Sequence, residues 1–142
     1  MLTRAQIDKA VTGRLKTEFP TTPVQSSDVS EGFARPSFFV RIETNRTEHF
    51  RNSVRREMTC RIVYFPSKRD IFEEEAYGVL DRLEKLFGLN LVVEDRTLTI
   101  EGASTEIVDK VVHYDFDLVF YDDMGSSGGG PGELMEELYY DG

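Results

Sequence analysis

His113, Asp115 and Asp117 occupy alternate positions in Val111-Val-His-Tyr-Asp-Phe-Asp-Leu-Val-Phe-Tyr121. All three are metal-ligand types. On an extended strand, residues two apart share a face but stand about 6.6–6.8 Å from one another. Three in a row therefore do not close easily on one ion, and a polar face, or a face packed against another subunit, is the better reading. Gly125-Ser-Ser-Gly-Gly129 has the form G-x-S-x-G. A nucleophile elbow needs its serine on a tight turn into a packed helix, with a histidine later in the chain. Both histidines, His49 and His113, come earlier, and the serine lies in a glycine tract. The chain contains no C-x-x-C, H-E-x-x-H, G-x-x-x-x-G-K-[ST] or G-x-G-x-x-G. Its single cysteine, Cys60, alternates with Met58, Ile62 and Tyr64, so it reads as a small core side chain. One cysteine also excludes an internal disulfide framework. The expectation is a protein with no catalytic residues, no metal and no cofactor.

Composition narrows the class further. The 142 residues suffice for one domain with a real core. No apolar run approaches the roughly 18 residues of a membrane helix. Met1-Leu-Thr-Arg-Ala-Gln6 lacks the apolar core of a signal peptide, which makes the cytoplasm the expected compartment and Asn45-Arg-Thr47 a chance glycosylation sequon. The net charge of −9 is unevenly spread. Residues 1–69 hold 13 Lys and Arg against 7 Asp and Glu, a net of +6, and residues 70–142 hold 4 against 19, a net of −15. Two solvated faces would account for this. So would a contact between copies, in which one region complements another. Arginines from Arg41 to Arg61 form a basic stretch with Phe50 as its one interspersed aromatic. A nucleic-acid footprint normally dominates its domain, and this chain is acidic, so sequence-specific nucleic-acid binding is not expected.

These residues need elements to position them. Val112, Tyr114, Phe116, Leu118 and Phe120 alternate with the polar face just described, which predicts a long strand over 111–121. Met58, Cys60, Ile62 and Tyr64 predict a second over 58–65, and Phe38, Val40 and Ile42 a third over 37–43. Val24 could begin a short one. Residues 44–57 read as extended ribbon or loop, with a turn at Asn45-Arg46 or Asn52-Ser53. Leu91–Glu94 and Leu98–Ile100 suggest a hairpin closed around Asp95-Arg96, and Gly102–Thr105 a loop. Thr3 with Gln6 forms a capping-box pattern ahead of Ile7, Ala10, Val11 and Leu15, predicting a helix to about Glu18. Phe72, Ala76, Val79, Leu80, Leu83, Leu86 and Phe87 predict another from Ile71 to Phe87, with Asp70 as N-cap and Gly88 as C-cap. The fold class expected is α+β: an antiparallel or mixed sheet covered by two helices.

That domain spans residues 1–123. Residues 124–132 are a Gly/Ser-rich linker, whose eight residues from Gly125 reach on the order of 15 Å as random coil. Residues 133–142 form a short acidic segment in which Leu134, Met135, Leu138 and Tyr139 fall at i,i+4 spacing. An amphipathic segment on a leash suggests docking into a groove; a frayed terminus is the plainer alternative.

The order of these features resembles the tail terminator proteins of phages and phage-like particles of Gram-positive bacteria. It is carried by the N-terminal helix, Arg35-Pro-Ser-Phe-Phe-Val40, the arginine-rich ribbon and Ile62-Val-Tyr-Phe-Pro66. It continues through the amphipathic helix, the hairpin, Ile107-Val-Asp-Lys-Val-Val-His-Tyr-Asp-Phe-Asp117 and, more loosely, Met135-Glu-Glu-Leu138. It covers most of residues 1–123, and the glycine-rich insert has no counterpart in it. The resemblance implies a ring, usually a hexamer of the chain with itself, that caps the tail tube and ends its polymerisation. The ring would then present a joining surface to the head, neck or sheath. The partners implied are the tube protein, and sheath and neck or head-connector proteins; the location implied is the tail of a virion or bacteriocin-like particle. Arg51, Arg55, Arg56, Asp115 and Asp117 are the expected subunit-interface residues, and Leu134, Met135, Leu138 and Tyr139 the expected docking residues. Two other classes compete: an adaptor or regulatory domain that binds a partner through the C-terminal segment, and an enzyme whose site is assembled across subunits.

Overall fold

The computed structural model describes residues 1–25, 34–68 and 70–123. At the N-terminus, the Thr3 hydroxyl accepts from the Gln6 amide at 3.1 Å while the Gln6 side chain accepts from the Thr3 amide at 2.9 Å. This capping box starts α1 (Arg4–Glu18), whose Ile7, Val11 and Leu15 are fully buried. Strand β1 (Val24–Gln25) follows, then the long hairpin β2 (Ser37–His49) and β3 (Ser53–Phe65). Helix α2 (Glu73–Phe87) leads into β4 (Asn90–Val93), β5 (Arg96–Val108) and β6 (Val111–Asp123). The six strands form one sheet in the order β1-β2-β3-β6-β5-β4. Only β1 runs parallel to its neighbour, so the sheet is mixed and the fold is α+β.

Both helices lie on one face of the sheet, α1 against β1, β2 and β4, and α2 against β6. The alternation of β3 and β6 turns Val54, Met58, Cys60, Ile62 and Tyr64, with Val112, Tyr114, Phe116, Leu118 and Phe120, into the core beneath them. Phe87 of α2 stacks on Phe116 at 5.0 Å between centroids, and Phe38 bridges Phe19 and Tyr64 at 4.9 and 4.8 Å. Each large side chain so buried contributes about 1.5–3 kcal/mol. The helix C-termini are tied to each other. Arg14 of α1 donates at 3.0 Å to the Leu86 carbonyl in the last turn of α2 and at 3.0 Å to Asn90 O. Arg82 of α2 donates to the carbonyl of Glu18, the last residue of α1, and lies 4.0 Å over the Phe19 ring.

Several elements differ from the sequence expectations. Residues 44–57 are the two arms of the β2–β3 hairpin, and the turn lies at Phe50–Asn52, closed by Phe50 N donating to Ser53 O at 2.7 Å. At Asn45 there is instead a break in strand register, a bulge that takes up one extra residue. Helix α2 begins at Glu73, after an N-cap at Phe72 that makes no side-chain cap bond, so neither Ile71 nor Asp70 has its expected role. The Glu75 carboxylate accepts from Ser67 N at 2.9 Å, Ser67 Oγ at 2.8 Å and the Tyr64 hydroxyl. That set of bonds anchors the first turn to the end of β3 and leaves 70–72 outside the helix. Glu73, Glu74 and Glu75 stabilise the helix start through its dipole instead. Gly88 is the C-cap but at φ −15°, not left-handed. The β4–β5 turn is Glu94-Asp95, one residue earlier than expected, with Glu94 at φ 56°. Gly102–Thr105 is strand, paired along β6 after a register shift at Glu101. It shows no alternation because, among the described residues, nothing covers either of its faces.

Candidate functional site

The sheet face turned away from the helices carries rows of charged and polar side chains across β2, β3 and β6. Register places Arg41 beside Arg61 and Arg61 beside Asp115. Two arginines opposite each other would repel, and Glu43 resolves this by pairing with both, at 3.4 Å from Arg41 and, accepting a hydrogen bond, 2.9 Å from Arg61. Arg61 also reaches Asp115 Oδ2 at 2.9 Å. The hydrogen bond from Arg61 holds the Glu43 carboxyl below its ordinary range, despite some desolvation. Asp115 goes the other way: burial raises its pKa, and Arg61 and His113 offset this only in part. Its second oxygen, Oδ1, is buried without a hydrogen-bond partner among the described residues. The next row is uncharged at its centre, with Asn45 donating to Thr59 Oγ1 at 2.6 Å and Thr59 to Asp117 at 2.7 Å. Nearer the hairpin tip, Arg55 pairs with Glu48 at 3.3 Å and with Glu57.

The five expected interface residues are thus in three places. Arg55, Asp115 and Asp117 are on the open face. Arg51 is exposed in the hairpin turn. Arg56 points to the other side and is only 6% exposed, paired at 3.1 Å with Asp122, itself 2% exposed. Arg56 also donates to the Leu2 carbonyl, Arg96 pairs with the second Asp122 oxygen, and both guanidiniums stand 5.5 Å from the Phe120 ring. Arg56 therefore joins the N-terminus, β3, β5 and β6 within the subunit. Its position in the alternation was the available signal, because Val54, Arg56 and Met58 share one parity. Leu134, Met135, Leu138 and Tyr139 lie outside the described residues, as does the Gly125–Gly129 motif.

Cys60 is wholly buried, and desolvation pushes its thiol up to about 12, with Asp8 and Asp117 adding to the shift. A thiol held neutral is a poor nucleophile. A groove of about 620 Å³ runs between α1 and β4, with Ala10, Gly13, Leu86 and Val92 along it and Lys9 and Glu94 among its charged groups.

Sequence halves map onto sheet halves. Strands β2 and β3 with their turn, residues 37–65, hold six Arg against three Glu, a net of +3. Residues 90–123, which make β4, β5 and β6, hold two basic against nine acidic residues, a net of −7. The order β1-β2-β3-β6-β5-β4 thus makes one half of the sheet basic and the other acidic. The model of the family described as phage tail terminator protein matches residues 6–126. The chain belongs to that family: it is a structural component of the phage tail and acts with other tail proteins. No curated protein matches it.

Proposed function

We propose that the protein assembles as a ring, six-fold in the family manner, that caps the tail tube, ends its polymerisation and provides the surface to which the head, neck or sheath is joined. The observation that carries this beyond family membership is the charge gradient across the sheet. A basic half and an acidic half on one subunit favour a head-to-tail contact, and such contacts close into rings when the rotation allows. Arg51, Arg55, Asp115 and Asp117 supply charge to that contact, and residues 133–142, tethered beyond the domain, dock through Leu134, Met135, Leu138 and Tyr139 on an adjacent subunit or on the next ring. Light scattering and negative-stain images of the purified protein test the ring: a closed oligomer that loosens as salt rises is expected. A monomer at every concentration, with single subunits on purified particles, overturns it. Deleting residues 125–142 is expected to leave the domain folded and to give particles with uncontrolled tail length or tails not joined to heads. Normal particles from that deletion would reduce the segment to a passive terminus.

A further inference from the structure

Strand β4 pairs only with Arg96–Thr99 of β5. From Gly102 to Val108, β5 has β6 on one side and, among the described residues, nothing on the other. Glu101–Glu106 are exposed throughout. The hairpin ends in a two-residue turn, Asp109-Lys110, with φ of 52° and 64°. In such a turn the flanking residues, here Val108 and Val111, exchange both backbone bonds. Alternation then gives bonded pairs at Glu106 and Ser104 and directs the N–H and C=O groups of Ile107, Thr105 and Ala103 outward. Natural sheets block such an edge with charged side chains, above all lysine, with proline, a bulge or a covering element; beyond the bulge at Glu101, Gly102-Ala-Ser-Thr-Glu-Ile-Val108 has Glu106 but no lysine or proline, and no described element covers it.

Charge identifies the occupant. Glu101 and Glu106 on this edge make no ion pair among the described residues. At the opposite side of the sheet, β1 covers β2 only at Phe38 and Phe39. Beyond it, Arg41 and Arg46 each pair with a glutamate two residues on, Glu43 at 3.4 Å and Glu48 at 2.8 Å, but their side chains are 71% and 63% exposed against 33% for both glutamates, and among the described residues no strand pairs with that edge. We propose that the open edge of β5 receives the β2 edge of a second copy, so that the sheet continues from subunit to subunit. The β2 strand holds two Arg and two Glu, but the arginines dominate its exposed charge, whereas the β5 edge exposes Glu101 and Glu106; each subunit carries one edge of each kind, which makes the contact head-to-tail. This inference rests on the ring reading and specifies how the ring is joined.

Thr105→Pro tests it, because proline there removes an outward N–H and leaves the bonds to β6 in place. Light scattering is expected to show assembly weakened by about tenfold or more, with circular dichroism unchanged. Reversing the acidic edge (Glu101→Arg with Glu106→Arg) or the basic one (Arg41→Glu with Arg46→Glu) is expected to weaken assembly. Mixing the two reversed proteins, or combining all four changes, is expected to restore it. Full assembly by Thr105→Pro and by both reversals overturns the edge pairing while leaving the ring standing. Wild-type protein that never assembles overturns both. Should Thr105→Pro fail to fold, the charge exchange decides: rescue supports the pairing, and reversals without rescue reject it.

Discussion

Arg55 and Arg56 are neighbours in sequence with opposite situations. Arg55 faces the open side of the sheet between Glu48 and Glu57, within reach of water. Arg56 faces the helices, buried against Asp122, Leu2 and Phe120. Strand alternation alone separates them, so composition of a basic stretch says little about which of its members meets a partner. The same comparison extends to the two sheet faces: one excludes water through aromatic and aliphatic packing, and the other keeps charges paired but accessible.

The largest expected effect breaks this comparison at its centre. Arg56→Ala takes one of two arginines from buried Asp122 and leaves Arg96 paired with it; losing a hydrogen bond to a charged group costs about 1.5–3 kcal/mol. Chemical denaturation is expected to show that loss, while Arg55→Ala melts close to wild type; similar stabilities for the two variants would contradict the assignment. A smaller effect comes from Cys60. Its folded pKa of about 12 lies above the ordinary 9.0 of a free thiol. Below pH 9 the thiol is neutral in both states. Above it the unfolded chain releases a proton that the folded chain retains, so stability falls as pH rises, by about 1.4 kcal/mol per pH unit. Between pH 9 and 10 the raised Tyr64 and Tyr114 contribute equally to both proteins, and Cys60→Ala is expected to show a flatter dependence by somewhat less than one proton. The smallest effect sharpens the open face. With Arg61→Ala, Glu43 loses the hydrogen bond that lowers its pKa, and its carboxyl titration followed by NMR is expected to move up toward the ordinary 4.5. The wild-type pair stabilises the fold above that pH and loses this contribution as pH falls through the lowered value. An unmoved titration would show that Arg61 does not act on Glu43.

Where burial follows a regular period, the sequence is readable. The capping box of α1, the core faces of β3 and β6 and the apolar stripe of α2 all appear where the spacing of Ile, Leu, Val and Phe puts them. Legibility ends where a long-range bond decides. Glu75 sets the start of α2 through Tyr64 and Ser67, partners that lie eight or more residues away and follow no local capping pattern. Gly102–Thr105 looks like a loop because small polar residues without alternation carry no sign of the strand beside them. Of the expected site, Asp115 and Asp117 were recognisable as a polar strand face, but their partners Arg61 and Thr59 depend on the register between β3 and β6. Arg56 could have been assigned to the core by its parity, had charge not outweighed position.

The crossed arginines at the helix ends bear on how the subunit responds to force. Neither α1 nor α2 finishes with a cap supplied wholly by its own side chains; each lends a guanidinium to the other's last turn. Peeling one helix from the sheet withdraws the arginine that closes its neighbour. The pair is therefore a mutual latch, and the helical layer comes away as one cooperative unit. A tail subunit built this way meets mechanical load with a helical layer that holds together up to a threshold and does not fray from its ends.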